Sequence, residues 1–209
     1  MLDWLQIPLP ELFAVLAAVA FASGLNVYAT VAVLGLSARF GHLPLPPELH
    51  LLETWPVVGA SLVLFVVEFF ADKIPAFDLL WSALHTFIRV PVAALLTYGA
   101  TRQLSPAEQL LAAFLGALIA LAAHGGKTAL RAAVTPSPEP FSNISLSLSE
   151  DVLAVGLTWL ATRHPYAAAS VTLVLLIIIF LLARLVLKAM RALFRGAGGE
   201  LATRPRLGH

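Results

Sequence analysis

Apolar residues run along this chain in six long stretches, at about 11–38, 55–72, 76–100, 108–130, 145–162 and 167–190, separated by short links bearing Pro, Ser or Gly. The last is the most decisive. Ala167–Ala183 holds no charge, and past Arg184 the run continues to Leu187, giving about the 20 residues that cross a bilayer core. Two stretches carry polar breaks with glycine, "SGLN" at Ser23–Asn26 and "HGGK" at His124–Lys127. Glu11 opens the first of these stretches and Glu108 the other; the stretch after each ends in similar style, "ADKIP" at Pro75 and "ATRHP" at Pro165. The pattern predicts an all-α integral membrane protein of six segments arranged as a 3+3 inverted repeat, with broken first and fourth helices. Residues 1–104 form one repeat, 105–195 the other, and 196–209 a basic tail. The alternative turns each break into a re-entrant hairpin and leaves four spans. The length of Leu12–Ser37 favours crossing.

Composition agrees with the pattern. Of 209 residues, 59% are hydrophobic and 12% charged, and mean hydropathy is +0.88, far from the mix of soluble domains. Trp4, Trp55, Tyr98 and Tyr166 fall near segment ends, where amphipathic rings sit at headgroup level. Lys188, Arg191, Arg195, Arg204 and Arg206 crowd the C-terminus, which the positive-inside tendency predicts to be cytoplasmic. The start has neither a basic region nor a small-residue cleavage site and reads as mature protein. Without cysteine there is no disulfide framework or thiol nucleophile. "ALAAHGGKT" lacks the first Gly of a phosphate loop, and the histidines lack HExxH spacing. The basic tail alone does not make a nucleic-acid surface; it suits anionic lipid. No cofactor is predicted, and nothing in the spacing names an enzyme reaction.

The charges inside the apolar runs are the candidate chemistry. Glu68 and Asp72 are four apart and share a helix face, as do His85 and Arg89 in the next segment, with Asp78 seven before His85. Pro75 turns the chain between them, so the two stripes can face each other. An ionised group at mid-bilayer costs about 2.5–3.5 kcal/mol on insertion scales, which drives such groups inward or to the interface. In the inverted arrangement Glu68 lies at the depth of Glu150 and Asp151, so acids from both repeats converge. The plainer alternative makes "SLSEDV" a helix start with Ser147 and Glu150 as its capping box, and leaves Asp72 and Lys73 among headgroups. At the first break, Gly24 supplies freedom and Asn26 two donors and an acceptor, with Tyr28 and Thr30 following. At the second, Gly125 and Gly126 precede Lys127 and Arg131, a cationic pair suited to an anionic group. Close helix packing at glycine is the alternative, with Asn26 bonded across helices.

"SGLNVYATVAVLG" together with "EFFADKIPAFDLLWSALHTFIR" resembles a domain-of-unknown-function family of small bacterial inner-membrane proteins, through G-L-N followed by E-x-x-x-D-K-x-P-x-x-D. That resemblance implies a bacterial inner-membrane location and brings no activity. Glu68–Lys73, "EFFADK", is more faintly similar to the acidic motif of manganese/calcium-exporter-like transporters, which share a 3+3 inverted repeat with lysine-exporter-like ones. Here the acids are four apart instead of three, Ala71 replaces Gly, Ile74 replaces Thr, and Thr158–Arg163, "TWLATR", has neither acid. The metal is left unassigned. The leading expectation is a small secondary transporter or channel-like protein for a small ion or polar solute, with membrane lipid and a second copy of the chain as partners. Glu68 and Asp72 would couple a cation or proton, His85 relay it, and Arg89 pair with them. Translocation of a lipid's anionic head group and a non-catalytic scaffold are the alternatives.

Overall fold

A computed structural model of the chain describes residues 7–72, 75–134 and 140–202, with side chains throughout except at 75–83, 132–134, 140–143 and 192–202. The apolar stretches become helices: α1 Leu9–Leu25, α2 Val27–Arg39, α3 Trp55–Ala71, α4 Pro75–Ala100, α5 Pro106–Val134, α6 Pro140–Arg163 and α7 Pro165–Ala202, with a 3-10 helix at Pro47–Glu53 before α3. Proline starts most of them. Pro75, Pro106, Pro140 and Pro165 are first residues, where the ring's fixed φ suits the helix and the missing N–H is not needed. A capping box closes the start of α5, as Ser105 N and Oγ both donate to Glu108 Oε2 at 2.9 and 2.7 Å. Among the described residues there is no strand.

The two predicted breaks part company. At Asn26 the backbone is extended, with φ −149° and ψ 102°, and the ladder of α1 stops. Asn26 Oδ1 then caps α2 by accepting from Ala29 N at 2.9 Å. The fourth stretch is unbroken: α5 runs straight through Gly125 and Gly126, which corrects the expectation of a broken fourth helix. Glycine permits a break without requiring one, and its cost of about 1 kcal/mol in a helix is offset by packing. Ile179 of α7 sits where a Cβ on Gly126 would be, 2.7 Å from its Cδ1.

Side-chain register fixes where the first stretch goes. Ala20 meets Ala93 and Ala120, Gly24 lies against Ala120 and Ala123, and Leu25 O accepts from Lys127. So α1 passes Ala93 before reaching Arg89, whose Nη1 faces Gly24 O, and it descends parallel to α5. Past the break, Asn26 bonds Asp151 and Thr30 bonds Thr158. Gly35 packs on Leu52 and Val58, and Arg39 donates to Glu53 O. The 3-10 helix holding Leu52 and Glu53 is pinned to the far end of α4, through Leu49 on Gly99 and an ion pair between Glu48 and Arg102. Hence α2 leads back to the Arg102 end from which α1 came. The first stretch folds back as a helical hairpin, with α1 about 25 Å long and α2 about 20 Å at 1.5 Å per residue.

Helix α1 is the centre of the molecule, touching α2, α4, α5, α6 and α7. Its small residues Ala14, Ala18, Ala20 and Ala22 are buried and let the neighbours come close. The outer helices carry the opposite pattern, with Leu173, Val174, Phe180 and Leu181 of α7 exposed. Among the described residues, Pro106–Arg131, Ile144–Arg163 and Pro165–Arg191 are long and apolar enough to cross a membrane, and the 3-10 helix with α3 does so as a pair bent by 60°. Several such helices are compatible with a multi-pass membrane protein.

Candidate functional site

The charged residues from four helices meet beneath the tip of the hairpin. Arg89 of α4 and Glu68 of α3 are both fully buried and form an ion pair. The same guanidinium donates from Nη1 to His124 Nδ1 of α5 at 2.8 Å. A guanidinium has no lone pair, so Nδ1 accepts and the neutral ring carries its proton on Nε2, facing Thr86 Oγ1 at 2.8 Å. One turn further along α5, Lys127 Nζ stands 3.7 Å from Glu68 Oε1, 3.1 Å from Asp72 Oδ2, 3.2 Å from Glu150 Oε2 and 3.2 Å from Leu25 O. Arg131 follows, reaching Asp72 Oδ2 at 2.8 Å and both oxygens of Glu150. The result is a column running from Arg89 toward the Arg131 end, in which Lys127 and Arg131 each bridge acids of α3 and α6.

The helix break contributes its own field. The last carbonyls of α1 have no partner within the helix and carry the negative end of its dipole. Gly24 O faces Arg89 at 3.5 Å and Leu25 O faces Lys127. On the other side, Asn26 Nδ2 donates to Asp151 Oδ1 at 2.8 Å, placing an acid of α6 beside the positive start of α2. Tyr28 reaches His85 Nε2 at 2.9 Å, ring edge to ring face. Glu68, Asp72, Glu150 and Asp151 thus stand against Arg89, Lys127 and Arg131. Of those four acids, Asp151 alone forms no ion pair among the described residues. Glu68 Oε2, Asp72 Oδ1 and Asp151 Oδ2 are buried with no hydrogen-bond partner there. Desolvating each ion costs several kcal/mol, so stability alone does not call for such a column.

Each sequence-predicted residue can now be placed. Glu68, Asp72, Arg89, Asn26, Lys127, Glu150 and Asp151 come together. Glu150 and Ser147 do not start a helix: α6 begins ten residues before Glu150, because Pro140 and not Ser147 opens it. His85 lies beside the column, on Tyr28. Gly24 is a packing contact inside α1, not the break itself. A Cβ on Gly125 would meet nothing within 4 Å, and Gly126 serves α7. Lys73 and the Asp78 side chain lie outside the described residues. Sequence reasoning missed His124 and Thr86 as partners of the column, and named Arg131 only as an anion-binding group. The signal was present, since His124, Lys127 and Arg131 lie three, four and seven apart on one face of α5. Among the described residues, no group of three or more His, Asp or Glu side chains is set to hold a metal ion.

Residues 12–185 match a family described as a domain of unknown function (DUF4126), and the chain belongs to that family. No curated protein and no solved structure matches it, so the fainter likeness of Glu68–Lys73 to the exporters gains no support.

Proposed function

We propose that this protein is a small secondary transporter or channel-like protein that moves a small cation or proton through the column beneath the hairpin. The carrying observation is Lys127, an ammonium held by three carboxylates from two facing helices and by the open end of α1. Such a cation is a placeholder. A proton or hydrogen-bonding cation arriving on Glu68 or Asp72 weakens the hold on Lys127, and each of these two acids has an unpartnered oxygen to receive it. The column is fully buried at Glu68 and Arg89 and gains slight exposure at Arg131 and Glu150, so entry is from the Arg131 end. Interrupted helices whose ends face the solute are a common way for transporters to build sites.

An inverted repeat reverses the direction of corresponding helices. Helices α3 and α6 run in opposite directions, as do α4 and α7, which is the sense such a repeat requires. Its first elements break the rule, since α1 and α5 run the same way. The positive-inside tendency of the basic residues of α7 favours a cytoplasmic C-terminus, and with it a cytoplasmic Arg131 end.

The test is proton flux into pyranine-loaded liposomes under a potassium diffusion potential. Glu68→Gln keeps the shape of the side chain and removes its charge; flux should fall to the protein-free level while size and helicity hold. Unchanged flux sinks the assignment. Translocation of an anionic head group is less favoured, since Lys127 and Arg131 already hold Asp72 and Glu150. A scaffold is the second reading, favoured by the sealed pair of Glu68 and Arg89. It requires both Glu68→Ala and Arg89→Ala to be tolerated.

A further inference from the structure

Beside the column, α3 and α6 separate to leave a groove of about 580 Å³ on the flank of the bundle. Phe65, Phe69 and Phe70 form one wall and Val155 and Gly156 the other, with Asp151 between them. Apart from that carboxylate the lining is apolar, and the volume is that of a small-molecule site. The three rings are set at angles to one another, Phe65 to Phe69 at 6.5 Å and Phe69 edge-on to Phe70 at 5.5 Å. Asp151 is 4% exposed, gives Oδ1 to Asn26, and has no hydrogen-bond partner for Oδ2 among the described residues.

We infer that this groove is a binding site for an amphiphilic amine, with the hydrocarbon between the phenylalanines of α3 and the valines of α6 and the ammonium on Asp151 Oδ2. Charge complementarity selects that occupant. Asp151 is the acid that the cations of the column leave without an ion pair, and a charge-assisted hydrogen bond to an ammonium completes it. The phenylalanine faces add cation–π attraction along the way. A lipid acyl chain would fill the groove yet leave the buried carboxylate oxygen still without a donor. The amine arrives and stays protonated, so no bond beyond the hydrogen bond is made.

The probe is dansylated diaminododecane, which ends in a free amine, compared with its N-acetyl derivative, titrated onto the full chain in detergent micelles. The amine should bind at least tenfold more tightly than the amide. Asp151→Asn, which keeps an oxygen for Asn26, should erase that preference. Gly156→Trp should block both probes, since a Cβ there meets nothing within 4 Å and the indole enters the groove. Equal binding of amine and amide assigns the groove to acyl chains and overturns the inference, as does a preference that survives Asp151→Asn. A change of oligomeric size in Gly156→Trp with amine binding intact gives the groove to a second copy and overturns it too. Binding in micelles needs no flux, so this site stands or falls apart from the transport reading.

Discussion

Lys127 is the residue on which the buried charges depend. Removing it leaves Glu68, Asp72 and Glu150 facing one another with one cation fewer, and uncompensated buried charge costs about 3–5 kcal/mol. Lys127→Met, similar in length and shape, is therefore expected to lower the thermal unfolding midpoint in detergent strongly, with partial recovery when Glu150→Gln is added. A midpoint within error of the parent would show that Lys127 is not the hub. The acids were legible in the sequence because charge inside a greasy run must face inward, and the turn at Pro75 set Glu68 facing Arg89. His124 was not, because a neutral imidazole beside two glycines looks like part of a break until its face on α5 is compared with Lys127.

Among the elements, the two glycine motifs look alike on paper and behave oppositely in space. Gly24 lies within contact of the backbone of α5, and a Cβ would stand 2.7 Å from that of Ala123, so Gly24→Ala must push α1 off α5. Overpacking of this kind costs about 1–3 kcal/mol. Gly125 has open space around it inside a continuous helix, and Gly125→Ala should stabilise by about 0.5–1 kcal/mol through helix propensity. Chemical unfolding of the two variants reads the sign of each, and equal signs would contradict the packing described for α1. Helix extents were largely legible, since apolar runs and initial prolines mark them. Whether a helix stops at a glycine depends on what packs there, and neighbours far along the chain settle it.

Taken whole, the molecule puts both ends of its first stretch on one side. Leu9 and Phe40 are exposed and belong to the Arg102 end, and the chain contains no cysteine. Leu9→Cys and Phe40→Cys should thus react with a membrane-impermeant maleimide from the same face of the membrane; labelling from opposite faces would restore the uninterrupted crossing that the length of the stretch suggested. A sequence counts apolar residues well but is silent on whether a polar interruption turns the chain. That decision rests on Asn26 meeting Asp151, 125 positions later. The order of synthesis adds a consequence. Helix α1 is covered mostly by α4, α5, α6 and α7, the last of which begins at Pro165. At about 5–20 residues per second, the ribosome delivers those neighbours many seconds after α1 has emerged. Helix α1 is thus made before the helices that enclose it, so the hairpin is buried only once those later helices have been inserted.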